Sequence, residues 1–274
     1  MRLERGKGFP PLGTPSLYWL GQAGFWIDTG RHRVIIDPYL SDSLARKYRG
    51  RKHPHERMMP PPVTVDELPE PDLVLITHAH TDHLDPDTLG PLHERFNKVP
   101  VVVPAAIEHV AQERIGHGAR LVAVDAGDRL KLAEGLELSV FPAAHEEREV
   151  DEEGRHLFVG YGLRTDNFSL YHSGDSVPFA DLDAQIRRFA PQIALLPVNG
   201  RDKQRRADGI PGNFTLDEAI HLSRDCAFLV PHHFGMFAFN TIDADLIDAA
   251  AGMVTSPDPA IIRPVAGDHI RIVT

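Results

Sequence analysis

The apolar run Leu73-Val74-Leu75-Ile76 is followed at once by Thr77-His78-Ala79-His80-Thr81-Asp82-His83. Pro71-Asp72 and Thr77 bound the run, which is the pattern of a buried strand. A lone His-x-His says little, because His and Asp also serve loops through hydrogen bonds alone. His-x-His-x-Asp-His placed directly beyond a buried strand is far more specific. It requires a fold in which that strand ends at an open rim, with imidazoles and a carboxylate free to hold a metal.

Other strand-like runs end the same way. Leu138–Phe141 leads to His145, Ser169–His172 to Asp175, and Phe228–Val230 to His232 and His233. Side chains at the ends of neighbouring strands converge at one rim of a sheet, so distant positions can build one cleft. Imidazole nitrogen and carboxylate oxygen suit zinc, manganese or iron. A carboxylate between two cations can bridge them, and two close metals can activate a shared water and polarise the bond under attack.

The chain has 274 residues, enough for one large domain, and 1–274 is read as a single unit. Its formal net charge of −10 argues against nucleic acid as the default partner, since that binding needs a positive surface. A small anionic substrate stays open, because a metal or a local basic cluster can hold one. The single cysteine, Cys226, can form no internal disulfide or thiolate zinc site and reads as a small buried hydrophobe. No secretory pattern is visible in Met1–Pro15, and no apolar stretch approaches the ~20 residues of a membrane span. A cytoplasmic, membrane-free protein is therefore expected.

Along the chain, strands are expected at Leu17–Ile27, Val34–Asp37, Leu73–Ile76, Val101–Val103, Leu121–Val124, Leu130–Leu132 and Leu136–Phe141. Further strands are expected at Phe158–Arg164, Ser169–His172, Ile193–Pro197, Phe228–Pro231 and Ile270–Val273. Helices fall at Asp87–Phe96, Ala105–Ile115, Ala180–Phe189, Thr215–Asp225 and Asp243–Ala251. The mixture implies sheets covered by helices. The segment at about 41–62 stands apart. Arg46, Lys47, Arg49, Arg51, Lys52 and Arg57 make it basic, and Pro60-Pro61-Pro62 closes it. It reads as a surface insertion, solvated or in subunit contact, and a homo-oligomer is expected.

Thr77-His78-Ala79-His80-Thr81-Asp82-His83-Leu84-Asp85, with His145, Asp175 and a late histidine following in order, resembles the metallo-β-lactamase superfamily. The resemblance runs from Trp19 to the end. It implies an α/β, four-layer αββα sandwich: two mixed sheets flanked by helices, with a dinuclear site at their joined edge. It implies one metal on His78, His80 and His145, a second on Asp82, His83 and the late histidine, and Asp175 bridging. His233 matches Pro-x-His better than His232 does. Within the superfamily the chain resembles the L-ascorbate-6-phosphate lactonase branch. The carrying segments are Trp19–Phe25, Asp37–Ser43, Pro60–Pro62, Leu196–Asp202, Gly212–Phe214, and Pro231–Phe237 with Asn240. Phe214, Phe234 and Gly235 depart from that branch's pattern.

Asp37 and Asp85 are candidates to orient ligating histidines. Asn199, Arg201, Asn213 and Asn240 are candidates for substrate, with Arg201 suited to a phosphate or carboxylate. Gly-x-Ser-x-Gly and a phosphate loop with Lys are absent. The expected chemistry is therefore a metal-dependent lactonase. Hydroxide generated at two divalent metals (zinc or manganese, with iron possible) opens a sugar-acid lactone, and Asp82 or Asp175 carries a proton. Phosphodiester hydrolysis is the rival within the class, and iron-based redox chemistry and a non-catalytic scaffold are the rivals outside it.

Overall fold

A computed structural model describes residues 1–256 and 258–274. The first half of the chain gives strands β1 (Arg2–Lys7), β2 (Ser16–Gly21), β3 (Gly24–Asp28) and β4 (Arg33–Ile36), then helix α1 (Ser43–Lys47). Next come β5 (Leu73–Leu75), α2 (Pro86–Arg95), β6 (Val101–Pro104), α3 (Glu108–Ile115) and β7 (Leu121–Val124). The second half gives β8 (Arg129–Ala133), β9 (Leu136–Pro142), β10 (Val159–Thr165), β11 (Ser169–His172), α4 (Leu182–Phe189) and β12 (Ile193–Pro197). It continues through α5 (Lys203–Ala207), α6 (Leu216–Leu222), β13 (Phe228–His232), α7 (Ala244–Met253), β14 (Ala260–Ile261) and β15 (Asp268–Val273).

The strands form two mixed sheets, one ordered β1-β15-β2-β3-β4-β5-β6-β7 and the other β14-β13-β12-β11-β10-β9-β8. Side-chain alternation builds the layers. On β2 and β3, Leu17, Trp19, Phe25 and Ile27 turn toward the second sheet and pack with residues such as Leu138 and Tyr161. Their neighbours Tyr18, Leu20 and Trp26 turn the other way, onto Leu89 and Leu92 of α2 and Ala111 and Ile115 of α3. Leu182, Ile186, Ala219, Leu222 and Ile247 bring α4, α6 and α7 into the core of the second sheet. The four-layer α/β sandwich expected from the sequence is the architecture observed.

Several local readings need correction. Leu17–Ile27 is a hairpin of two antiparallel strands rather than one strand. Gln22 (φ 50°) and Ala23 make the turn, with Gly21 (φ 91°) paired to Gly24 at its base, and the apolar residues on both sides concealed it. β1 went unread because its alternating charges belong to an edge strand beside solvent. Asp85, a candidate to orient a histidine, caps α2 instead: it accepts from Asp87 N (3.3 Å), Ser41 Oγ (2.7 Å) and Thr88 Oγ1 (2.6 Å). Cys226 is buried, and burial pushes its thiol up to about 12.

The carboxyl ends of β4 and β5 lie at the same rim as those of β9, β11, β12 and β13, because parallel pairing aligns β4 with β5 and β11 with β12 and β13. The sheets are tied there directly. Tyr161 Oη donates to Ile76 O (2.7 Å) and Val159 N to Thr77 O (3.1 Å).

Candidate metal centre

Both sheets deliver side chains to this rim. Past β5, His78, His80, Asp82 and His83 come from the first sheet; His145 past β9, Asp175 past β11 and His233 past β13 come from the second. The ligand atoms of His78, His80 and His145 lie within 4.8 Å of one another, as do those of His78, His83 and Asp175, and those of Asp82, His83 and His233. Asp175 Oδ2 is central, at 3.1 Å from His233 Nε2, 3.4 Å from His83 Nε2 and 3.7 Å from His145 Nε2. Asp82 Oδ2 lies 3.8 Å from His233 Nε2 and 3.9 Å from His83 Nε2.

This set fits divalent metal ions. His78 Nε2, His83 Nε2 and Asp175 Oδ1 are buried without a hydrogen-bond partner, which is costly unless something else pairs with them. The outer nitrogens of two ligands are held: His83 Nδ1 lies 2.7 Å from Asp37 Oδ2, and His145 Nδ1 lies 3.2 Å from Gly212 O. Each bond turns Nε2 toward the cluster. Asp37 is itself fixed by Thr77 N (2.8 Å) and Thr77 Oγ1 (2.5 Å).

Electrostatics agree with that donor set. Burial drives His78 well below the usual imidazole range, lowers His80, and brings His145 down to about 4, so these rings are neutral. Burial also resists charge on Asp175 and Asp82, but the surrounding imidazoles outweigh it and both carboxyls stay ionised. His83 is the exception. Burial opposes its proton, yet Asp175, Asp37 and Asp82 together raise its proton affinity well above the ordinary value. A metal held at Nε2 would take the place of that proton.

Of the two late histidines, His233 faces the carboxylates. It does so from a left-handed backbone (φ 60°) stabilised by its N–H donating to Gln22 O (2.9 Å). His232 instead stacks on His172, with ring centroids 4.6 Å apart, and stays in the core. Gln22 was not singled out in the sequence. Its Nε2 donates to Asp82 Oδ2 (2.7 Å) and lies 3.1 Å from His233 Nε2. The available signal was one polar side chain between Gly21 and Ala23 in an otherwise apolar stretch.

Gly174 precedes Asp175 at φ 61°, and a Cβ there would lie 2.8 Å from Val159 O and 2.9 Å from Thr77 Cβ. Gly174→Ala should therefore push Asp175 off the cluster. The expected result is about 2 kcal/mol lost in denaturant melts together with weakened metal retention in a chelator titration.

Around the cluster lies a cleft of about 750 Å³. Of the four proposed substrate residues only Asn240 lines it. Asn199 Nδ2 donates to Asn240 Oδ1 (2.8 Å) and Asn213 Nδ2 to Asn199 Oδ1 (3.1 Å), so Asn199 and Asn213 form a buried amide chain behind Asn240. Arg201 is turned elsewhere: its guanidinium grips Glu218 at 2.6 and 2.7 Å and Asn213 O at 3.0 Å. The basic insertion is not merely solvated surface, for Tyr48, Arg51, His53 and His55 wall the cleft. Asp208 clasps it across the cleft mouth, accepting from Lys52 Nζ at 2.6 Å and pairing with His53 Nε2 at 3.0 Å. The Lys52 hydrogen bond leads in holding the Asp208 carboxyl down at about 2. Among the described residues no helix is long and apolar enough to cross a membrane.

Residues 32–234 match the family described as the beta-lactamase superfamily domain. A UPF0173 metal-dependent hydrolase from Opitutus terrae is 30% identical over 80% of this chain and 84% of its own length. Among solved structures, Igni18, a metallo hydrolase from Ignicoccus hospitalis, superposes with a TM-score of 0.67 at 20% identity, covering 94% of this chain and 98% of that one. Isothiocyanate hydrolase from Delia radicum gut bacteria superposes at 0.73 and 18% identity, covering 93% and 97%. These two likenesses show the fold.

Proposed function

Because the chain belongs to the metallo-β-lactamase superfamily and is a metal-dependent hydrolase, we propose that it opens a lactone ring in a small anionic substrate, using two divalent ions of zinc or manganese. The observation that carries the hydrolytic reading is the cluster of unpartnered buried ligand atoms around Asp175, at the base of an open cleft. His78, His80 and His145 would hold one ion and Asp82, His83 and His233 the other, with Asp175 shared. When bound, the ions would supply Lewis acidity toward the carbonyl and lower the pKa of water.

The chain's own groups do the rest. Asp37 and the Gly212 carbonyl fix the His83 and His145 rings, so that Nε2 of each faces the cluster. Gln22 holds the Asp82 carboxylate through its amide. Asp82 is the more accessible of the two carboxylates (17% against 3% exposed), and we assign it the proton taken from water and passed to the leaving alkoxide. Asn240, braced by Asn199 and by Arg205 Nη1 (2.9 Å), is placed to meet a substrate oxygen. The lactone reading rests on the resemblance of segments such as Trp19–Phe25 and Leu196–Asp202 to the lactonase branch.

The test is to assay sugar lactones against bis(p-nitrophenyl) phosphate with added Mn²⁺ or Zn²⁺. Lactone opening with little diester cleavage is expected. Cleavage of the diester alone would overturn the lactone assignment and leave a phosphodiesterase.

A further inference from the structure

Five aromatic rings line the cleft beside the cluster: Tyr48, His53, His55, Phe237 and Phe239. Tyr48 and His55 stack with centroids 4.1 Å apart, and His55 meets Phe239 at 4.7 Å and Phe237 at 5.0 Å, both edge-on. His53 closes on Phe239 at 5.1 Å. Two segments far apart in sequence, the insertion and the loop after β13, thus meet in one aromatic wall. Burial keeps the His55 ring at the centre of this wall neutral.

The charge balance at the mouth is the second observation. Arg114 is engaged by the carbonyls of Ala79 and Leu84, and Lys52 by Asp208. Arg201 is engaged by Glu218, outside the cleft. Lys47 and Arg51 also line the cleft, and neither has a carboxylate partner among the described residues; Lys47 Nζ rests 5.4 Å from the Tyr48 ring centroid. Of the lining carboxylates, Asp82 and Asp175 sit in the metal cluster and Asp208 is in the clasp. A chain of net charge −10 therefore presents, beside an aromatic wall of its reactive cleft, two cations whose side chains have no hydrogen-bonded partner among the described residues.

Resting on the hydrolase reading above, we infer that Lys47 and Arg51 select substrates that join an anionic group to a flat aromatic or apolar body, the body stacking on His55 and Phe239. The anion is read by the insertion, in place of the Arg201 loop that the sequence suggested. Stacking holds a ring at modest strength, and a cation facing an anion at a partly desolvated wall adds selectivity.

Calorimetric titration of the metal-loaded protein tests this without turnover. The probes are naphthalene-2-sulfonate, an anion that metals hold poorly, and its neutral analogue methyl 2-naphthyl sulfone. The sulfonate should bind about tenfold more tightly, roughly the sum of two partly exposed ion pairs. K47A/R51A should erase that preference, while R49A, which removes an exposed charge outside the cleft lining, should keep it. Phe239→Ala should weaken both probes. Equal binding of the two probes, no binding of either, or a preference that survives K47A/R51A or is lost equally in R49A overturns the inference. All these substitutions replace exposed or part-exposed side chains, and a melting curve verifies folding. Failure to hydrolyse any lactone or diester counts against the hydrolase reading alone, because the binding arms need no reaction.

Discussion

Asp175→Asn is expected to reduce hydrolysis on the order of 10³-fold and to lower the metal content of the purified protein. Asp175 Oδ2 is within 3.7 Å of three imidazole nitrogens drawn from three strand ends, so one oxygen serves both halves of the cluster. The amide has nearly the same shape but no charge. With two cations at the site, as proposed, it could no longer neutralise both, and their mutual repulsion would drive at least one of them out. Lewis acidity contributes several kcal/mol to such reactions, and each 1.36 kcal/mol is tenfold in rate, which gives the stated magnitude. Metal analysis beside kcat/KM is the check. A variant with full metal content and unchanged kcat/KM would remove Asp175 from the centre of the site. Added metal should restore little activity, since the defect lies in the ligand rather than in supply.

The second large effect is at Asp37, which is buried and touches no reacting group. Its carboxylate accepts from Thr77 N–H, Thr77 O–H and His83 Nδ1–H. Asp37→Ala leaves three buried donors without their partner. Each such group costs about 1–3 kcal/mol, and breaking a buried charge pair costs roughly 3–5 kcal/mol. The expected loss is therefore about 4 kcal/mol, or roughly 10 °C in Tm for a chain of this size. Metal affinity should fall about 10–100-fold as the His83 ring loses its anchor. Asp37→Asn, which keeps one acceptor, should lie between. Thermal melts with and without metal, followed by competition with a chelator, separate the two contributions. An alanine variant that melts and binds metal like the parent would show that Asp37 anchors nothing.

The sequence made the metal-facing half of the site readable because its signal is local. His78 to His83 follow a strand that is apolar at every position, and such runs leave little doubt about burial or direction. β12 was placed to the residue for the same reason: Ile193–Pro197 is apolar and buried throughout. The substrate-facing half was misread because its determinants are pairings. Arg201 looks like an anion ligand until Glu218 is seen against it, and Glu218 is there because it completes the capping box of α6 with Thr215. The insertion carries the composition of a solvated surface, yet Arg57 donates to the carbonyls of Tyr39, Ser41 and Met59 and draws it over the cleft. Bonds of that kind link charged side chains to backbone carbonyls and leave no mark in a hydrophobic pattern.

The position of β15 bears on how this chain comes into being. It lies between β1 and β2, paired antiparallel to both, so residues 268–273 form an interior strand of the first sheet. During synthesis β1 through β7 emerge first, yet β1 has no strand to pair with until the whole second sheet has left the ribosome. β1 must wait, unpaired, for a partner made more than two hundred and fifty residues later. Assembly is thus forced toward a late, concerted closure, and deleting residues 268–273 would leave β1 without a partner.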